Sequence, residues 1–209
     1  MNYHEHLKKD KKFAAILGNT VHELKLHKNI PVRLMASIMS QQLSTKVAAV
    51  IFKRFLELFG GKEPKPKQVV DIDFDTLRAI GLSNAKTNYV KNVAAFCIEH
   101  KITDKKLLAM ENEDIINLLT QIKGVGQWTV EMLLMFSLGR EDLLALDDLG
   151  IQNGIIKAYG LEGLTKKELR QKMIEIAEPW RPYRTYACIH LWRWQDNVPV
   201  VKEKVKIKK

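Results

Sequence analysis

Cysteine is nearly missing from the chain: Cys97 and Cys188 are the two in 209 residues. That excludes a disulfide scaffold, a four-cysteine zinc site and an iron–sulfur cluster held by four thiolates. Both cysteines read as packing residues of apolar helices. Long apolar runs are missing as well, with nothing near the ~18 residues that a membrane span requires. The start of the chain, Met1 to Lys12, is polar and charged, unlike a signal peptide. A soluble intracellular protein is expected. Strand-length runs with period-two alternation are almost absent; the nearest is the tail, where Val205 and Ile207 alternate with lysines. Acidic residues are in deficit, 24 Asp and Glu against 34 Lys and Arg, which leaves a formal net charge of +10. So basic a chain points to a polyanionic partner, nucleic acid before anionic membrane.

What is present reads as helix. Hydrophobic residues make up 46% of the chain, enough for a globular core. Apolar positions recur at helical spacing in Ile115, Leu118, Leu119 and Ile122, and again in Val130, Leu133, Leu134 and Leu138. Pro31 opens a long helix through Leu34, Ile38, Ala48, Phe52, Phe55 and Phe59, which Gly60-Gly61 stops, and the polar pair Gln41-Gln42 either interrupts it or begins a turn between two helices. Residues 62–71, with Pro64 and Pro66, read as a loop. Phe74 to Ile80 is a short helix, and Ser83 caps a longer one to about His100. A further helix starts near Thr103-Asp104. Thr165-Lys166-Lys167-Glu168 is a capping box, and Pro182 suits the first turn of a last helix over 183–195. The fold class is all-α. Two lobes are expected: 31–146 as a central helical lobe, 1–30 plus 147–197 as a second, and 198–209 as a basic tail.

The segment Leu118 to Thr129 is the most informative. A helix runs into Gly124-Val125-Gly126 and a very apolar helix leaves at once. The two glycines allow positive φ on both sides of a tight bend. Val125 can then tuck between the helices while backbone N–H groups at the second helix's start face outward. Such an exposed helix N-terminus binds an anion without a side-chain charge, and on a +10 protein that anion is a nucleic-acid phosphate. Farther on, Asp147-Asp148 follows an apolar loop and precedes a helix over 151–159. By chemistry alone both aspartates serve as helix caps, or one carboxylate faces a substrate.

Taken together, these motifs resemble the helix-hairpin-helix DNA glycosylases. Gly124-Val125-Gly126 matches the hairpin (about 115–138), and Asp147-Asp148 follows about twenty residues on. The resemblance is nearest to the alkylation-repair branch, the DNA-3-methyladenine glycosylase II type. It also rests on Ser40-Gln41-Gln42-Leu43-Ser44, Leu146-Asp147-Asp148 and Trp180 to Ala187, and covers roughly 31–197. It implies a two-lobed fold with the active-site cleft between the lobes and no iron–sulfur cluster. Asp148 matches the catalytic carboxylate and Asp147 its structural neighbour. One carboxylate suits the reaction, because a purine alkylated on a ring nitrogen already carries positive charge and leaves without a strong general acid. Bifunctional relatives have a nucleophilic lysine where this chain has Trp128, which implies hydrolysis without strand cleavage.

Further roles follow from the same resemblance. Trp128 and Trp192 match walls of a base pocket, where an indole face favours a cationic base, with Met132 as an additional lining residue or a core one. Gln42 matches the residue that fills the gap left by the flipped nucleotide, with Leu43 its rival. Phosphate contacts fall to Gly124, Val125, Gly126 and Thr129. A second helix N-terminus, at Gly81 to Lys86, brings Lys86 and Lys91 toward phosphate or is simply a capped helix. Backbone carbonyls of Thr120, Ile122 and Val125 match positions that hold a monovalent cation, sodium or potassium; no other cofactor is required. Arg184 is expected to pair with Asp147. The six histidines show no convincing ligand spacing.

The expected activity is excision of alkylated purines, of the 3-methyladenine and 7-methylguanine type, from damaged double-stranded DNA by base flipping. Excision of an oxidised or mismatched base is one alternative, and a non-enzymatic DNA-binding protein is another. A monomer is the default, in the bacterial cytoplasm or a eukaryotic nucleus.

Overall fold

The computed structural model describes residues 2–196; the basic tail, 198–209, lies outside them. Thirteen α-helices and no strand occur among the described residues. They fall into two compact units. One runs from Leu24 to Arg140, and the other joins the chain up to Glu23 with the chain from Glu141 on. The expected boundaries at 31 and 146 therefore move to 24 and 140, for local reasons. The His27 N–H donates to the Ser137 carbonyl (2.9 Å), and Asp104 accepts from the N–H groups of Asn29 and Ile30 (2.7 and 2.8 Å), which ties 24–30 to the first unit. In the other unit the Thr185 N–H donates to the Glu141 carbonyl and the Leu143 N–H to the Thr185 hydroxyl, which ties 141–145 to the last helix.

The Leu24–Arg140 unit contains α3 (Ile30–Ser40), α4 (Thr45–Glu57), α5 (Pro66–Asp71), α6 (Phe74–Arg78), α7 (Asn84–Glu99), α8 (Asp104–Leu108), α9 (Asn112–Leu119) and α10 (Gln127–Phe136). Helix α3 is central, burying Leu34, Met35, Ile38 and Met39 against α4, α7 and α10. The helical stretch expected from Pro31 to Phe59 is two helices. Gln42 takes a left-handed conformation (φ 58°) in a turn closed by Leu43 N–H to the Ser40 carbonyl (3.1 Å), and Ser44 then caps α4. Residues 66–71, expected as loop, form α5, because a proline at the first helical position is an asset and Val69 finds the core.

The second unit contains α1 (Tyr3–Leu7), α2 (Lys11–Ala14), α11 (Leu149–Tyr159), α12 (Lys166–Ala177), a 3₁₀ turn (Glu178–Trp180) and α13 (Arg184–Asp196). Trp180 and Phe13 are fully buried in it. Asp10 caps α2 and also accepts from the Tyr159 hydroxyl (2.5 Å) and Trp180 Nε1–H (3.1 Å), so a charged residue of a polar segment fixes the core. The ring of Tyr3 stacks on Tyr186 at 4.0 Å. Cys97 and Cys188 are buried, as expected of packing residues, and burial pushes the Cys97 thiol up to about 12.

Candidate functional site

The hairpin is built as the glycines suggest, with one difference. Helix α9 ends at Leu119, the Val125 N–H closes back on the Ile122 carbonyl (2.9 Å), and Ile122 and Val125 are buried between the helices. Gly124 alone has positive φ (102°), and a Cβ there would lie 2.1 Å from Cγ of Tyr89, whose ring covers it. Gly126 has an ordinary φ of −91° and open space where a Cβ would be. Neither backbone strain nor a neighbour in the protein requires a glycine at 126, which is what close approach by an external group would require. Gly126 is the N-cap of α10 and gives it no side-chain cap, and among the described residues the N–H groups of Gly126 and Gln127 have no acceptor. A bare helix start of this kind suits an anion.

Two expected phosphate contacts have other work. Thr129 is buried, its N–H donates to the Gly126 carbonyl, and its hydroxyl accepts from Gln41 Nε2 (3.3 Å). The Lys86 ammonium donates to the carbonyls of Met39 (3.0 Å) and Gln41 (2.6 Å), which closes the end of α3. Lys91 does the same for α5, donating to the carbonyls of Val70 (3.0 Å) and Ile72. A lysine near a helix end satisfies orphan carbonyls as readily as it meets phosphate. Lys86 and Thr129 therefore brace the turn that carries Gln42 and Leu43, both of which are exposed at its tip. Holding a non-glycine residue in the left-handed region costs about 1–2 kcal/mol, a strain more often met at functional positions. Trp128, in the first turn of α10, is 43% exposed, and Met132 one turn later is half-buried. Of the carbonyls expected to hold a cation, that of Ile122 already accepts from Val125 N–H.

In the second unit Asp148 is half-buried and N-caps α11. Its Oδ1 accepts from the Ile151 N–H (2.9 Å) and from Trp192 Nε1–H (2.8 Å). The cap and the candidate catalytic group are thus the same carboxylate. Trp192 is brought to Asp148 as an indole N–H donor, a contact that residue spacing does not reveal. Gly150 makes it possible: a Cβ there would lie 2.8 Å from Cδ1 of Trp192 and 2.9 Å from Asp148 Oδ1. The Gly150 carbonyl accepts from Gln195 Nε2, and a Cβ at Gly154 would meet that same amide at 2.8 Å. Neither Gly150 nor Gln195 stood out in the sequence, although glycines four apart in a helix are a signal of close helix packing.

The expected pairing of Arg184 with Asp147 does not occur. Arg184 forks onto Asp142, Nε to Oδ1 at 2.6 Å and Nη2 to Oδ2 at 3.1 Å. Asp147 is exposed and pairs instead with Arg170 of α12 at 2.9 Å. Arg184 lies in the first turn of α13, whose start is anchored to 141–143, so the nearer acid captures it. It still braces the segment leading to Asp148, with the Tyr186 hydroxyl donating to Glu141 (2.7 Å).

The chain matches the family described as HhH-GPD superfamily base excision DNA repair protein over residues 35–179. It is 38% identical over 186 residues to DNA-3-methyladenine glycosylase 1 of Schizosaccharomyces pombe, covering 88% of this chain and 80% of that protein. Among solved structures it resembles the S. pombe 3-methyladenine DNA glycosylase in complex with abasic DNA, at a TM-score of 0.77 and 34% identity over 91% of this chain and 95% of that one. It also resembles DNA-3-methyladenine glycosidase of Bacillus halodurans, at a TM-score of 0.78 and 35% identity, covering 90% and 86%. On this match and the hairpin and acidic pair that carry it, the chain belongs to the HhH-GPD superfamily of base excision DNA repair proteins.

Proposed function

We propose that the protein is a monofunctional DNA glycosylase that hydrolyses the N-glycosidic bond of alkylated purines in duplex DNA. The observation that carries this reading is the Asp148 carboxylate, held at the start of α11 by Ile151 N–H and Trp192 Nε1–H, in a chain similar to 3-methyladenine glycosylases. As the C1′–N bond breaks, the bonding pair goes to the cationic base, which leaves neutral, and positive charge builds on the sugar. The fixed carboxylate stabilises that charge at close range. One water then bonds to C1′ through its oxygen and gives up a proton, leaving an abasic site. With Trp128 in place of a lysine, no amine attacks C1′.

The outward N–H groups of Gly126 and Gln127 take a backbone phosphate. Gln42, with Leu43 beside it, enters the stack as the base leaves. Trp128 and Met132 offer a flat wall to a cationic purine, and Trp192 orients Asp148. A sodium or potassium ion on the carbonyls of Thr120, Ile122 and Val125 would steady the hairpin. The protein acts as a monomer on damaged double-stranded DNA, in the bacterial cytoplasm or a eukaryotic nucleus; no helix among the described residues is long and apolar enough to cross a membrane.

Release of bases from duplexes carrying 3-methyladenine, 7-methylguanine or 8-oxoguanine tests the reading. The reading predicts that the methylated purines are released and that borohydride traps no covalent adduct. Release confined to 8-oxoguanine would reassign the substrate, and no release from any lesion would leave a DNA-binding protein without this chemistry.

A further inference from the structure

Apart from Asp148, the second unit holds a cavity of about 180 Å³, with apolar walls from Ile16 and Leu17, that has no part in the glycosylase reading. Gly18, Thr20, His22, His190, Arg193 and Trp194 line it, among other residues. A water takes about 30 Å³ in the liquid, so the cavity admits something larger than one water. His190 is 3% exposed, and its Nε2 is buried with no hydrogen-bond partner among the described residues. A buried imidazole nitrogen left unpaired is costly, and a hydrogen-bonding group brought against this ring would offset that cost. Around it stand His22 (ring centroids 4.8 Å apart), His4 (6.2 Å), Tyr3 (6.0 Å) and Arg193.

The chemistry of this set selects the ligand. Three imidazoles suggest a metal, but His4 Nε2 is engaged with the Gly18 carbonyl (2.9 Å) and Arg193 Nη1 lies 2.9 Å from His22 Nε2. A guanidinium against the ring repels a cation, and no metal-holding group occurs among the described residues. Burial first, then His22, His4 and Arg193, hold His190 down to about 4, so at pH 7 it is neutral and has one N–H to offer. Arg193 carries the one formal charge among the named lining residues, and its guanidinium has further donors beyond the one at His22. Thr20 adds a hydroxyl. Donors around a single positive charge, with no carboxylate among them, fit an oxyanion.

We infer that this cavity binds a phosphate group through Arg193, His22 and His190. The group is either a phosphodiester of bound DNA or a free phosphate. Titrating the whole protein with inorganic phosphate, against chloride at matched ionic strength, while following the histidine ring resonances by NMR, tests it. The expected result is a saturable shift of His22 and His190, not of His27 or His100, with apparent affinity weakened about tenfold or more in Arg193→Gln. Arg193 is exposed, so that variant keeps the core; His190→Phe retains a ring at the buried position and should lose the response too. The source is read from duplex binding against salt. A slope reduced by about one contact in Arg193→Gln assigns the phosphate to DNA, and an unchanged slope assigns it to the free ion. No saturable phosphate shift in the wild-type protein overturns the inference, whatever the DNA slope does. Neither result depends on base release, which is tested separately.

Discussion

Helices α10 and α11 begin in opposite ways. Helix α10 starts at a glycine that brings no side-chain cap, and the N–H groups of Gly126 and Gln127 have no acceptor among the described residues. Helix α11 starts at an aspartate that supplies its own anion, accepting Ile151 N–H and Trp192 Nε1–H on one oxygen. The same dipole therefore meets two situations: at α10 its start is bare, as the proposed phosphate contact requires, and at α11 it faces the carboxylate on which the proposed chemistry rests. A grip on DNA and an attack on one sugar make different demands. The grip needs open backbone, and the chemistry needs a charge held still.

Breaking the α11 start has the largest expected effect. Asp148→Asn keeps the cap, since asparagine caps as well as aspartate, but removes the charge. Single-turnover release of 7-methylguanine should fall roughly 10²–10³-fold with the melting temperature unchanged. Next comes Gly150→Ala, whose methyl would push Trp192 and Asp148 apart. The same assay should show a loss of roughly tenfold or more, with thermal unfolding reporting a destabilisation of about 1–3 kcal/mol.

The two hairpin glycines separate fold from grip. Gly124→Ala meets both positive φ and the Tyr89 ring, and should cost about 3 kcal/mol by denaturant unfolding. Gly126→Ala meets neither. It should melt like the wild type yet bind duplex DNA roughly fivefold more weakly, about 1 kcal/mol, by fluorescence anisotropy. Equal affinity would place the phosphate elsewhere. Relieving the left-handed strain at Gln42 is smaller: Gln42→Gly should gain about 0.5–1 kcal/mol in unfolding and, if Gln42 fills the gap as proposed, lose a few-fold in release from duplex.

The smallest expected effect lies in the pH dependence of melting. His190 is held well below its ordinary value, to about 4, so between about 4 and 6.5 the unfolded chain binds more protons than the folded one. Its contribution to stability is present above about pH 6.5 and is lost as the pH falls toward 4. Melting temperatures across that window should drop in the wild type and drop less in His190→Phe.

Much of this was legible in local chemistry. Ser83, Thr103 and Thr165 cap the helices their side chains suit, and the Gly124 bend tucks Val125 inside. What stayed hidden depends on partners distant in sequence. Tyr3 stacks on Tyr186 across most of the chain, so a polar N-terminus did not read as core. Apolar helical spacing resumes after the polar run Ser40 to Ser44, and the break rests on the left-handed Gln42 beside Gln41, which Lys86 and Thr129 hold. The lysines and Arg184 were visible as charges, but which carbonyl or acid each would meet is decided by packing. Asp148 was legible as cap or catalyst, and the structure shows the cap.

The separation of grip from chemistry is tested most directly by measuring duplex affinity and saturated single-turnover release side by side for Asp148→Asn and Gly126→Ala. The account predicts that the first loses release and keeps affinity, while the second loses affinity and keeps release at saturation. Both quantities falling together in both variants would contradict it.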